Sequence, residues 1–176
     1  MGYAGGSKSN PTYHSLGNHS ETIQIDYDPT VVTYEELLAI FWNSHNPVSR
    51  SISSQYGSVI FYHDEEQRRV AEAVKEDRED ESGRQLPTEI VPYAELWLAE
   101  DYHQKYRLRG VKKVIESFQT IYPETRDLVD STAAARANGF IGGNGTLEQF
   151  EEEVDSLGLP PEAQQKLSEI AQRRLR

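Results

Sequence analysis

From Glu21 to Tyr27 the chain alternates, with Ile23, Ile25 and Tyr27 on the side of an extended backbone that also carries Glu21, and Thr22, Gln24 and Asp26 on the other. This spacing predicts a strand, closed by Asp28-Pro29. The period then changes. Thr33 with Glu36 forms a capping-box signature, and Leu37, Leu38, Ile40, Phe41 and Trp42 recur at helical spacing. A helix is expected from about Tyr34 to His45, stopped by Asn46-Pro47. The run Tyr56 to Tyr62 predicts a second strand, buried on both faces. Asp64 opens another helix over Glu65 to Glu79, and Ser82-Gly83 ends it before a short strand from Thr88 to Val91. Ala94 to Leu108 has a helical pattern, and Val111, Val114, Ile115 and Phe118 predict a further amphipathic helix reaching Tyr122-Pro123.

The two ends have a different character. Residues 1–20 are rich in Gly, Ser, Asn and Pro, which predicts mostly loop. Beyond Pro123 the chain becomes Ala-rich, then Gly-rich, then amphipathic over Leu147 to Leu157 and Pro161 to Leu175. The organisation expected is therefore one α/β domain over residues 1–123, with helices covering a sheet, and a small helical extension over residues 124–176.

Composition narrows the functions open to such a domain. At 176 residues the chain is long enough for one core. Its net charge of -11 repels phosphate backbones and anionic lipid, so neither nucleic acid nor a membrane surface is an expected partner. No apolar run has the length of a membrane span, and the opening residues form no apolar leader, which makes the cytoplasm the default location. With no cysteine, these residues supply no disulfide, thiolate ligand or thiol nucleophile. His14, His19, His45, His63 and His103 have no metal-site spacing, and no Ser-His-Asp elbow is present.

Three residues remain as candidate chemistry. Parity places Glu21 at the end of a strand beside apolar neighbours, where desolvation favours the protonated form that a general acid needs. Tyr13 precedes that strand and Tyr56 opens the next, so both phenols could converge with Glu21 at one sheet edge. Phenols there can donate to a polar oxygen while their rings hold adjoining carbon. The competing expectation is that Glu21 faces solvent and the tyrosines merely pack.

Seven segments in order carry a resemblance that bears on this choice: GYAGG (2–6), NPTY (10–13), HSET (19–22), YDP (27–29), YEELLAIFWNSHNP (34–47), QYGSVIFY (55–62) and AEDYHQKY (99–106). Together they resemble the A-type peptide methionine sulfoxide reductases over residues 2 to about 110, and the tail is similar to extensions in one branch of that family. The resemblance implies a two-layer sandwich with a ferredoxin-like core, and reduction of the S epimer of methionine sulfoxide, free or in proteins, as repair under oxidative stress. A cysteine thiolate attacks sulfur in that family while donors protonate the departing oxygen. Glu21 would correspond to the proton donor, and Tyr13 and Tyr56 to the phenols that bind the sulfoxide oxygen. No bound cofactor is implied, only an external, thioredoxin-like thiol reductant. His103 and Tyr106 fall in a matching motif but serve packing.

The departures matter as much. The family's Gly-Cys-Phe-Trp-Gly motif, which holds the nucleophile, is not among these residues, nor are C-terminal resolving cysteines. The chain is thus expected to be N-terminally truncated, without the first strand and helix, and inactive alone. The Tyr13 to Glu21 connection is shorter than in the best-known branch, and Ser51 stands nearest to an acidic position that precedes the QY pair. A sheet edge and apolar surface exposed in this way favour association or low stability. Two alternatives are a non-catalytic relative that binds methionine or sulfoxide peptides, and an acid-base hydrolase using Glu21 and a histidine.

Overall fold

A computed structural model describes residues 1–49 and 53–176, which divide into two compact units, Met1–Glu100 and Asp101–Arg176. The first is mixed α/β. Its elements are β1 (Gly2–Ala4), β2 (Ser20–Thr22), α1 (Tyr34–Asn43), β3 (Val59–Tyr62), α2 (Glu65–Ser82), β4 (Glu89–Pro92) and β5 (Leu96–Leu98). An antiparallel sheet runs β2-β1-β5, and β3 pairs in parallel with β4 through the α2 crossover.

The first two helices form where the sequence predicts them. At α1, the Glu36 N–H donates to Thr33 Oγ1 at 3.2 Å and the Thr33 N–H donates to Glu36 Oε2 at 2.7 Å, completing the capping box. Leu38 and Trp42 on its inner face pack with Ile60, Ala71 and Leu86. The Asp64 side chain caps α2, and Gly83 ends it with a φ of 63°, a left-handed conformation that glycine adopts without Cβ strain.

The strands depart from expectation in four places. The opening is not all loop, because Gly2–Ala4 is the middle strand of its sheet and Tyr3 is completely buried. Gly2 is required there, since a Cβ would lie 2.4 Å from the Trp97 carbonyl oxygen on β5. The strand expected from Glu21 to Tyr27 stops at Thr22, leaving Ile23 at 69% and Ile25 at 53% exposure. Alternation alone cannot maintain a ladder, and no described strand pairs with that edge of β2. Tyr56 belongs to a 3-10 turn, Ser54–Tyr56, and in β3 only Ile60 is fully buried. Finally, the helix expected over 94–108 is replaced by β5, a 3-10 turn at Asp101–His103 and a short helix, α3 (Tyr106–Arg109), because Leu96, Trp97 and Leu98 pair with β1.

The second unit is helical, with α3, α4 (Lys112–Ile121), α5 (Thr125–Asp130), α6 (Thr132–Gly142), α7 (Leu147–Glu153) and α8 (Pro161–Arg174). Its core joins Leu108, Phe118, Leu128 and Leu167, with Ala134, Ala137, Ala163 and Ala171 in the same cluster. The sequence break at Pro123 therefore falls inside this unit, where the apolar face of α4 packs with the helices that follow. Ser51 lies outside the described residues.

Candidate active site

The register of the three-stranded sheet orders the site. Tyr3 stands opposite Glu21 on β2 and opposite Trp97 on β5, so these three side chains share one face. The Tyr3 hydroxyl donates to Glu100 Oε2 at 2.6 Å, and the other oxygen, Oε1, accepts the Tyr13 backbone N–H at 3.0 Å. Glu100 thereby ties the turn carrying Tyr13 to the middle strand. That turn closes on itself, with the Ser15 N–H donating to the Thr12 carbonyl at 2.9 Å. Behind it, buried His19 accepts the Gly6 N–H at Nδ1 and contacts the Lys8 carbonyl through Nε2 at 2.8 Å. This pairing puts the His19 hydrogen on Nε2. Gly6 is obligatory here, since a Cβ would lie 2.6 Å from the His19 ring.

Tyr56 and Gln55 arrive from the 3-10 turn. Ser53 Oγ accepts the Gln55 N–H at 3.2 Å, and the Ser20 hydroxyl donates to the Ser54 carbonyl at 2.7 Å, binding the turn to β2. Gln55 Nε2 donates to Glu21 Oε1 at 2.6 Å. The Tyr13 and Tyr56 phenols share a hydrogen bond. This bond is the largest influence holding the Tyr56 pKa above its ordinary value; burial and the nearby Tyr13 and Glu21 act in the same direction, and a hydrogen bond to Gln55 opposes them. The structure thus brings Glu21, Tyr13 and Tyr56 together, with Glu21 partly buried and Tyr56 60% exposed. A carboxyl, two phenols and an open rim can surround a small polar group.

A cavity of about 290 Å³ adjoins this group. Residues Ser20 to Ile25 bound it on one side and Val59 to Phe61 on the other, with Tyr34, Leu37, Leu38 and Phe41 of α1 also lining it. Glu21 lines the cavity but Tyr13 and Tyr56 do not, so the acid sits between an apolar recess and the phenol pair.

The other sequence candidates serve elsewhere. The His14 ring lies edge-on to Tyr13 at 5.3 Å, His45 bridges the Phe41 carbonyl and the Ser58 hydroxyl, and His63 stacks on Tyr93. His103, whose ring lies tilted against Tyr102 at 4.3 Å, and Tyr106, 69% exposed, belong to the second unit. Among the described residues no three His, Asp or Glu side chains are placed to hold a metal ion. Two functional side chains were not singled out from the sequence: Glu100 and Gln55. The only sequence signal for either was its presence in a matching motif, AED or QY.

Comparison with known proteins shows which family the chain resembles. Residues 1–134 match the family model described as peptide methionine sulfoxide reductase, and residues 124–171 match the helical domain of selenoprotein methionine sulfoxide reductase A. A peptide methionine sulfoxide reductase of Drosophila melanogaster is 44% identical over 167 residues, a match that covers 94% of this chain and 67% of that protein. The peptide methionine sulfoxide reductase MsrA of Methanosarcina acetivorans is 43% identical over 132 residues, covering 68% of this chain and 70% of its own length. Among solved structures, reduced Mxr1 from Saccharomyces cerevisiae superimposes with a TM-score of 0.58 at 28% identity, covering 63% of this chain and 70% of that one.

Proposed function

Because the chain belongs to the peptide methionine sulfoxide reductase family, whose members are oxidoreductases acting on oxidised methionine, we propose that its first unit holds a methionine sulfoxide with the oxygen directed at Tyr13 and Tyr56 and with Glu21 as proton donor. The observation that carries this reading is the convergence of the hydrogen-bonded phenol pair with the Gln55-anchored carboxyl of Glu21. The sulfoxide bond is polarised, so its oxygen is a strong acceptor, and negative charge grows on it as sulfur is attacked. Donors fixed in advance stabilise that charge without reorganising. Protonation by Glu21 then makes the oxygen a leaving group.

The electrons must come from sulfur that is not among these 176 residues, since none is a cysteine. Overall, two thiols and one sulfoxide give a disulfide, a thioether and water, which balances without a bound cofactor. A thioredoxin-like dithiol is the reductant that fits this stoichiometry, and the S epimer in free or protein-bound methionine sulfoxide is the substrate. Repair of oxidised methionine in the cytoplasm, under oxidative stress, is the role that follows.

The test is binding, which needs no thiol. A short peptide bearing the S sulfoxide, its R epimer and the thioether are titrated against the chain, with backbone amide shifts followed by NMR. The S sulfoxide is expected to bind about tenfold more tightly than the thioether, as roughly one net hydrogen bond to a polar oxygen provides. Combined Tyr13→Phe and Tyr56→Phe substitution removes that preference. Retention of the preference in the double variant refutes the assignment. With dithiothreitol alone, the chain is expected to turn over no sulfoxide.

A further inference from the structure

We propose that Gln55 is a positioning residue of the sulfoxide site: its side-chain amide bridges the 3-10 turn to the Glu21 carboxyl, holds Oε1 and thereby leaves Oε2 as the oxygen presented to a ligand. The proposal rests on the reading of Glu21 as donor and adds to it how the donor is aimed.

Gln55 Nε2 donates to Glu21 Oε1 at 2.6 Å, across 34 positions of sequence. An oxygen that accepts the amide N–H is not the one that holds the acid proton. Oε2 makes no hydrogen bond with the described residues, and there the proton is free to meet a ligand. A carboxyl on a flexible side chain would otherwise offer either oxygen in several rotamers. With the amide in place, one oxygen of Glu21 is fixed and the other is turned away from the turn that carries Gln55.

The main chain around Gln55 does not depend on this bridge. Ser53 Oγ caps the turn, and the Ser20 hydroxyl holds the Ser54 carbonyl against β2. Close packing continues at Gly57, where a Cβ would lie 3.3 Å from the Ser54 carbonyl oxygen and 3.6 Å from Ser20 Oγ. Loss of the Gln55 side chain should therefore release the carboxyl and leave the turn in place, which separates a positioning role from a structural one.

Two measurements test this. In the ligand-free chain, the NMR signals of the Gln55 side-chain amide are followed through the carboxylate pH range. They are expected to titrate in wild type and to lose that titration in Glu21→Gln; amide signals that ignore pH overturn the bridge. In the peptide assay, Gln55→Ala and Glu21→Gln are each expected to reduce the roughly tenfold sulfoxide-over-thioether preference about threefold, and the double variant to lose no more than either single one. The thermal midpoint of Gln55→Ala should fall by no more than the loss of one hydrogen bond, a few degrees. Full preference in Gln55→Ala, losses that multiply in the double variant, or a lowered midpoint with unchanged preference each overturn the proposal. A wild-type chain that shows no sulfoxide preference removes the sulfoxide reading and the proton-aiming role with it, while the amide titration still decides whether the bridge exists.

Discussion

The tie made by Glu100 gives the most quantitative expectation. Its carboxyl accepts the Tyr3 hydroxyl at 2.6 Å and the Tyr13 N–H at 3.0 Å, in partly buried surroundings. A hydrogen bond to an ionised group contributes about 1.5–3 kcal/mol, and partial exposure argues for the lower end of that range. Glu100→Ala removes at least these two bonds and should destabilise the first unit by about 3 kcal/mol or more, a large fraction of the roughly 5–15 kcal/mol that holds a domain folded. Tyr3→Phe removes one bond and leaves the other, so about 1.5 kcal/mol is expected. Glu100→Gln keeps one accepting oxygen and should fall close to Tyr3→Phe. Both tryptophans, Trp42 and Trp97, lie in the first unit, so their fluorescence during urea unfolding reports on it without contribution from the helical unit. Equal destabilisation by Glu100→Ala and Tyr3→Phe would show that the carboxyl does not hold the Tyr13 turn. The same Glu100→Ala chain should lose sulfoxide preference, because the phenol of Tyr13 is no longer tethered to β1.

Further outcomes follow from single features. Thr33→Ala removes the capping box of α1 and should cost about 1 kcal/mol in the same unfolding assay, with peptide preference unchanged. Burial, aided by the nearby Tyr27 and Asp64, pushes the Tyr34 pKa from 10.0 up to about 12. Between those values the folded chain keeps a proton that the unfolded chain has released, so stability should fall as pH rises through that window, and Tyr34→Phe should flatten the decline. At neutral pH that substitution should cost little, since the Tyr34 hydroxyl is buried without a hydrogen-bond partner among the described residues. Ile23→Lys with Ile25→Lys should reduce concentration-dependent association seen by sedimentation velocity, because both isoleucines are exposed beside an unpaired edge of β2.

How much of this was legible in the sequence depended on how local each cause was. The α1 cap, the α2 start and stop and the amphipathic face of α4 are written within a few residues, and the structure has them where the pattern places them. Strands were harder to read because their existence depends on distant partners. Gly2–Ala4 has a loop-like composition and is nevertheless the middle strand, whereas Ile23 to Tyr27 has strand alternation without a described partner. Leu96 to Leu98 follows the same logic, since its pairing with β1 overrides a helical pattern. At the site, the chemically capable residues were legible as types. Their meeting at one sheet edge was legible as one of two possibilities, but the contacts that hold them were not, since Gln55 meets Glu21 across 34 positions and Glu100 meets Tyr13 across 87.

That separation in sequence explains why the proton-donating half of the reaction can be complete within one unit. Reducing a sulfoxide takes two electrons and two protons, and the two requirements fall on different groups: sulfur for the electrons, oxygen-bound hydrogen for the protons. Every contact that places the donors is made within residues 1–100: Tyr3 and Tyr13 to Glu100, Gln55 to Glu21, Ser20 to Ser54, and Tyr13 to Tyr56. None of these contacts uses a sulfur atom, so recognition of the sulfoxide oxygen does not require the attacking thiol to be present. On the reading proposed above, binding preference and turnover are therefore separable, the first set by the phenols and the carboxyl and the second by a thiol that reaches the sulfoxide sulfur.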